Sequence, residues 1–234
     1  MNDRGASQLA LELPHRPALG AGDFLVAPGN REAVAWIDRW PDWNTLGLVI
    51  HGPPGCGKSH LLEVWRARSD ALALDAAELS KTDPVNALGS HVDLAVERLD
   101  AAEDETVLFH LYNMVVERGG KLLMTAREAP ARLGFQLPDL ASRIGALPAV
   151  AVAGPDDTLL ASVLVKLLAD RQLDAPPELI EYLLARMERS FEAARRLVAT
   201  LDNRALALRR PVTMRLARDV LATDFGIDNE KGGS

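Results

Sequence analysis

Short apolar runs alternate with longer helical stretches through the first two thirds of the chain. The runs fall at residues 46–51, 71–74, 92–96, 122–125 and 149–153, rich in Leu, Val and Ala and bounded by polar residues, glycine or proline. Runs of this length with little polar alternation read as strands buried on both faces. Between them, apolar residues recur every three or four positions. The plainest case is 104–118, with Val107, Leu108, Leu111 and Val115 on one face and Gly119-Gly120 as a stop. A helix is also predicted over 31–40, with Asn30 as N-cap, Ala33, Val34, Ile37 and Trp40 at helical spacing, and Pro41 ending it. Strand and helix in alternation build a parallel sheet covered on both sides by helices.

After Gly154-Pro155 the strand pattern ceases. Leu159, Leu160, Val163, Leu164, Leu167 and Leu168 form a stripe over 156–172, and further helices are predicted over 176–189, 190–209 and 213–222. The expected organisation is therefore an α/β domain over 23–154 and a small all-helical domain over 155–225. A flexible segment, 1–22, is expected before them and a disordered tail, 226–234, after them. Within the first segment the one pattern is Gln8 followed by Leu9, Leu11 and Leu13 in strand-like alternation, which Pro14 and Pro17 end.

The loop after the first strand changes the picture from a fold to a chemistry. Gly52-Pro53-Pro54-Gly55-Cys56-Gly57-Lys58-Ser59 fits G-x-x-x-x-G-K-[ST], and it lies between a buried strand and an apolar helical segment, as that motif requires. Its glycines let successive N–H groups turn inward toward phosphate oxygens, and the following helix adds the positive end of its dipole. Lys58 is expected to reach the β- and γ-phosphates and Ser59 to hold magnesium, with His60 at the start of the helix. Cys56 sits where a helix N-terminus lowers a thiol pKa, but bound phosphates would shield it, and it reads as a small filler residue. A chance Gly/Pro turn is the competing explanation of the motif, and the flanking strand and helix weigh against it.

Composition narrows the partners. The chain has 234 residues, 48% hydrophobic and 25% charged, in the ordinary globular range, with 33 acidic against 26 basic residues and a formal charge of −7. That balance argues against a broad cationic surface for gripping nucleic acid. The single cysteine excludes an intramolecular disulfide, the first 22 residues lack the pattern of a signal peptide, and no apolar run approaches the ~20 residues that span a bilayer. A cytoplasmic protein without membrane contact is expected.

A phosphate-loop α/β domain followed by a small helical one resembles an AAA+ module: a three-layer domain on a five-stranded parallel sheet, with a helical lid. The segments Leu137-Pro138-Asp139-Leu140-Ala141-Ser142-Arg143-Ile144, Leu108-Phe109-His110-Leu111-Tyr112-Asn113 and Gly22-Asp23-Phe24-Leu25-Val26-Ala27-Pro28-Gly29-Asn30 are similar to the bacterial initiator DnaA, and more so to its short regulatory homologues, the Hda family. The stretch Arg210-Pro211-Val212-Thr213-Met214-Arg215-Leu216-Ala217-Arg218-Asp219-Val220-Leu221 resembles the close of the initiator's AAA+ module. The likeness covers roughly residues 8–225. It implies a regulator of replication initiation that carries ADP or ATP with magnesium and lacks the initiator's DNA-binding domain, hence no sequence-specific DNA contact of its own. It also implies that the protein binds the β sliding clamp and promotes ATP hydrolysis on DnaA. Self-association as a homodimer stays open, as does the rival reading of a self-sufficient AAA+ ATPase or a non-catalytic adaptor.

The resemblance also assigns residues. Glu97, at the end of the third strand, would help hold magnesium, or else is a solvated strand-end charge. Arg98 stands where such ATPases commonly carry the catalytic Glu, and a guanidinium cannot act as a base; Asp93 and Asp100 are poorly placed substitutes. Thr125 would be a first sensor near the γ-phosphate, or an ordinary strand-end Thr. Arg143 matches the arginine finger aimed at a neighbour's nucleotide. For the second sensor, alignment puts Glu192 at the Arg position, with Arg195 one turn on and able to reach back over the same face; the competing account makes Arg189, Arg195 and Arg196 surface charges. Phe24, Val26 and Asn30 would contact the base, with packing against the first helix as the competing account. Gln8, Leu9, Leu11 and Leu13 resemble a clamp-binding peptide, or else form a strand on their own domain.

Overall fold

A computed structural model describes residues 26–81 and 83–226. The predicted strands are all there: β1 (Gly47–His51), β2 (Leu72–Asp75), β3 (Leu94–Glu97), β4 (Leu122–Ala126) and β5 (Ala149–Ala151). They form one sheet in the order β2-β3-β4-β1-β5, with every pairing parallel. β1 is central, pairing Leu48 with Leu123 of β4 on one side and Ile50 with Val150 of β5 on the other.

The continuous apolar runs have a direct cause in this topology, because successive strand residues face opposite sides and both sides are covered. Val49, Val96, Leu122 and Met124 enter one layer with Leu108, Leu111 and Val115 of α4 (Glu105–Glu117). Leu48, Ile50, Ala95 and Leu123 enter the other with Ile37 of α1 (Arg31–Asp38) and Leu61, Leu62 and Trp65 of α2 (Lys58–Ser69). Two short helices, α3 (Pro84–Leu88) and α5 (Pro138–Gly145), complete this part of the chain. α5 buries Leu140 and Ile144, one turn apart, against the α4 layer.

Four helices follow: α6 (Asp157–Ala169), α7 (Pro177–Leu184), α8 (Phe191–Leu208) and α9 (Met214–Phe225). They close around a separate apolar cluster that includes Leu160, Leu164, Leu183, Leu197, Leu201 and Val220. The stripe seen in the sequence over 156–172 is the α6 contribution to it.

Some boundaries differ from expectation for local reasons. The third strand begins at Leu94, since Val92 is solvent-exposed and the Asp93 carboxylate accepts the Lys121 N–H at 2.7 Å. The first helix ends at Asp38, and Trp40 and Trp43 turn back onto Trp65 of α2. Asn30 occupies the N-cap position of α1 without capping the helix through its side chain. The predicted capping role is replaced: its Oδ1 accepts the N–H of Ala27 at 2.8 Å and closes the preceding turn. The expectations for residues 1–22, and for Gln8, Leu9, Leu11, Leu13 and Phe24, fall outside the described residues, as does most of the tail. No described helix is long and apolar enough to cross a membrane.

Candidate functional site

The phosphate-type loop links β1 to α2 at the carboxyl ends of the strands, where open α/β sheets bind ligands. It is held from three sides. The Gly52 N–H donates to the Ala126 carbonyl of β4 at 3.2 Å, and a Cβ on Gly52 would lie 2.1 Å from the Val152 carbonyl oxygen. Cys56 is 1% exposed and belongs to the apolar layer beneath the loop, which agrees with its reading as a packing residue. Gly55 has φ +70°, and there the helical part of the chain meets the loop. A Cβ on Gly55 would lie 2.3 Å from the Ser190 Cβ, and the Gly55 carbonyl accepts the Phe191 N–H at 3.0 Å.

The Lys58 ammonium donates to the Gly52 and Pro53 carbonyls at 2.7 and 2.8 Å, bracing the loop from inside. No side chain caps α2 at Gly57, so the N–H groups of its first turn face the loop's concavity, the arrangement that suits an anion. Ser59 Oγ donates to Glu97 Oε2 at 3.3 Å, joining loop and β3 over 38 residues of sequence. A hydroxyl and a carboxylate this close would suit Mg²⁺ together with phosphate oxygens, Ser59 holding the ion and Glu97 acting through its water shell. Among the described residues no group of three or more His, Cys, Asp or Glu side chains could hold a metal by itself.

Next to Glu97 the chemistry changes. Arg98 takes the left-handed conformation (φ 53°, ψ 50°) and its guanidinium chelates the Asp75 carboxylate at the end of β2, with Nε at 3.0 and 2.9 Å from the two oxygens. Its backbone N–H donates to Thr125 Oγ1 at 3.2 Å. Thr125 is buried and its hydroxyl ties the ends of β3 and β4 together. Asp100 accepts the Arg127 N–H at 2.8 Å, and Asp93 lies at the opposite end of β3, so neither supplies a base beside Glu97.

Two clefts open beside the loop. One, about 230 Å³, is lined by Lys58, Ser59, His60, Phe191, Glu192 and Arg195. The other, about 260 Å³, is lined mainly by Gly29, Asn30, Ala153, Gly154, Leu159 and Phe191. The Arg195 candidate and the neighbouring arginines thus separate in space. Arg195 and Glu192 face the first cleft, whereas Arg189 is paired with Asp157 at 2.8 Å and Arg196 lies over the Phe225 ring. Asn30 borders the second cleft and Val26 borders neither. Burial, and then the positive charge of Arg195, hold the His60 imidazole below its usual pKa, against a smaller opposing pull from Glu63. At the end of β1, burial and then Lys58 and Arg132 do the same to His51. Both shifts favour the neutral imidazole, and the charged side chains that line the first cleft are Lys58, Arg195 and Glu192.

Arg143 lies apart from both clefts. It is exposed on α5, hydrogen-bonded from Nη1 to the Asn113 Oδ1, with its guanidinium carbon 4.8 Å from the Phe109 ring centre and 5.6 Å from that of Tyr112. Sequence reasoning did not single out Phe191 or Asp156 as site residues. No motif marks them, because helices distant in sequence bring them to the cleft.

No protein-family model matches the chain. Its fold is shared with solved AAA+ structures. Domain III of the Thermotoga maritima replication initiation protein DnaA superposes with a TM-score of 0.71 at 19% identity, over 88% of this chain and 95% of that one. AMPPCP-bound DnaA from Aquifex aeolicus gives 0.64 at 20% identity, over 90% and 76%. The Thermotoga maritima RuvB Holliday junction branch migration motor gives 0.67 at 13% identity, over 86% and 72%. The chain therefore has the AAA+ phosphate-loop α/β fold of DnaA domain III, with a helical C-terminal region.

Proposed function

We propose that this protein is a nucleotide-bound regulator of replication initiation that docks on the DNA-loaded β sliding clamp and stimulates ATP hydrolysis by DnaA. The observation that carries the reading is the placement of Arg143. A guanidinium that lines neither cleft, exposed and held in a fixed orientation by Asn113 and two aromatic rings, suits action on a nucleotide outside its own chain. Its own nucleotide, ADP or ATP with magnesium on Lys58, Ser59 and Glu97, would set the relation of the two cores and turn over slowly. Bound magnesium would neutralise phosphate charge there, and the loop N–H groups, the Lys58 ammonium and the Arg195 guanidinium would hold the phosphates. Arg98, locked on Asp75, leaves the position beside Glu97 without a base, which weighs against a self-sufficient ATPase.

The domain assignment is part of this proposal: residues 23–154 bind nucleotide, 155–225 cover it, and Gln8, Leu9, Leu11 and Leu13 form the clamp tether. The test is ATP turnover by purified DnaA with and without this protein and loaded clamp. Stimulation is expected with the native chain and its loss with Arg143→Ala. An Arg143→Ala protein that still accelerates hydrolysis would remove the finger assignment and leave an adaptor. Unchanged clamp affinity after Gln8→Ala with Leu11→Ala would remove the tether.

A further inference from the structure

The charge of the chain is unevenly distributed. It totals −7, yet residues 195–218 hold seven arginines against a single acid, Asp202, and no lysine. Three of the seven are engaged elsewhere: Arg195 lines the first cleft, Arg196 covers the Phe225 ring, and Arg204 pairs with Asp224 at 3.1 Å. Asp202 is itself taken by Arg171 at 3.6 Å. Arg209, Arg210, Arg215 and Arg218 remain, all exposed, and none forms an ion pair among the described residues.

These four lie where α8 ends and α9 begins, and a fifth joins them in space. Arg218 of α9 and Arg186, just past α7, have guanidinium carbons 5.8 and 4.0 Å from one ring centre, that of Tyr182. The two cations are therefore no farther apart than the sum of those distances. Glu181, Glu188 and Asp219, close by in sequence, pair with none of the five among the described residues. Arg215 is a turn away from Arg218 on the same face, in the first turn of α9, which holds no acidic residue and where the helix dipole opposes a cation. Like charges gathered in this way repel one another, and an anion laid across them turns the repulsion into attraction.

The chemistry around the arginines selects the anion. Pro211, Thr213 and Asp219 are exposed between them while Val212 turns inward, so the surface lacks the apolar centre that a protein interface buries. The exposed Leu206 and Leu208 stand two residues apart on α8 and point to different sides, which leaves no apolar face to enter a lipid surface. The Tyr182 ring is covered by Arg186 and Arg218 and offers no platform on which unstacked bases could lie. Guanidinium forks set around a small, polar surface suit the repeating phosphates of a double helix, each of which a fork can take with two hydrogen bonds.

We propose that Arg186, Arg209, Arg210, Arg215 and Arg218 form a surface that contacts the phosphate backbone of duplex DNA without regard to sequence. The acidic balance of the whole chain excludes a broad grip and keeps this local one weak and sensitive to salt. The five residues line neither cleft, so the surface stands or falls separately from the nucleotide site and from the role given to Arg143.

Fluorescence anisotropy of a short labelled duplex of mixed sequence, titrated with the full chain at salt from about 50 to 200 mM, reads affinity and its salt slope together. The native chain is expected to bind with log K falling linearly in log salt at a slope of about −4, the counterion release of four or five phosphate contacts. Arg215→Gln with Arg218→Gln should flatten the slope by about 2 and weaken binding about tenfold at the lowest salt. Arg209→Gln with Arg210→Gln, in the connection between helices, should act alike, and Arg215→Lys with Arg218→Lys should keep the native slope. Arg66→Gln, which breaks only the pair with Glu63 on α2, should change neither quantity. Melting temperatures verify that each variant is folded. The proposal is overturned by a native chain that does not bind the duplex at the lowest salt, by an unchanged slope in both glutamine pairs, or by an equal loss in Arg66→Gln. Tighter binding to the single strand of the same sequence, or to vesicles containing phosphatidylserine, overturns it too and assigns the arginines to that partner.

Discussion

Single atoms set the tolerance of this site. Gly55 combines φ +70° with a neighbour 2.3 Å from where a Cβ would lie, so Gly55→Ala must strain the loop and push Ser190 away. A loss of about 1–3 kcal/mol is expected in urea unfolding, with weakened nucleotide binding. The histidines give a pH signature. His51 and His60 have folded pKa values below 6.5, so the unfolded chain takes up protons first as the medium is acidified. Stability is full above about pH 6.5 and falls as the pH drops through the folded values. Urea midpoints measured from pH 8 to pH 5 should show this fall, and His60→Gln should flatten it. At this scale the sequence was informative where chemistry is local. The loop motif with Lys58 and Ser59 could be read from its spacing, whereas the 3.3 Å contact of Ser59 with Glu97 could not, since 38 residues separate them. The engagement of Arg98 by Asp75 could not be read, because 23 residues separate two side chains that only strand pairing brings together.

Among elements, the strands were the most legible, since a strand covered on both faces is apolar throughout, and β1, β3 and β4 satisfy that condition. The helix caps carry comparable weight. Asp104 Oδ1 accepts the N–H groups of Thr106 and Val107, both at 3.0 Å, and Asp104→Ala should cost about 1 kcal/mol by chemical denaturation, with α4 still formed. In the helical region, Leu197 is fully buried on α8, and Leu197→Ala should cost about 2–5 kcal/mol through its cavity. Because α8 also carries Phe191 and Arg195, that variant should bind nucleotide less well despite touching neither cleft. The short α5 presents Arg143 and buries Leu140 and Ile144 one turn apart, and it was its eight-residue likeness to the DnaA family that singled out Arg143.

For the whole molecule, two separately packed cores meet at the phosphate loop through Ser190, Phe191 and Gly55. A ligand that binds only the folded chain stabilises it by mass action, so ADP with magnesium at about 100 times its dissociation constant should add ~2.7 kcal/mol and raise the melting temperature. Lys58→Ala should abolish the rise. Turnover of ATP by the chain alone should be about 10²–10⁴-fold slower than by an AAA+ ATPase with a base beside its magnesium carboxylate, and a rate in the normal range would contradict the role given to Arg98. By itself the sequence determined the layered α/β class, the succession of strands into helices and the phosphate-type loop, because periodicity and a contiguous motif are properties of neighbouring residues. Only the tertiary structure decided which Arg of 189, 195 and 196 faces the cleft, that Asp75 holds Arg98, and that Phe191 divides the two clefts. Those contacts join residues far apart in the chain, and the packing of the sheet and of the helical core on the loop, not any local pattern, brings them within reach.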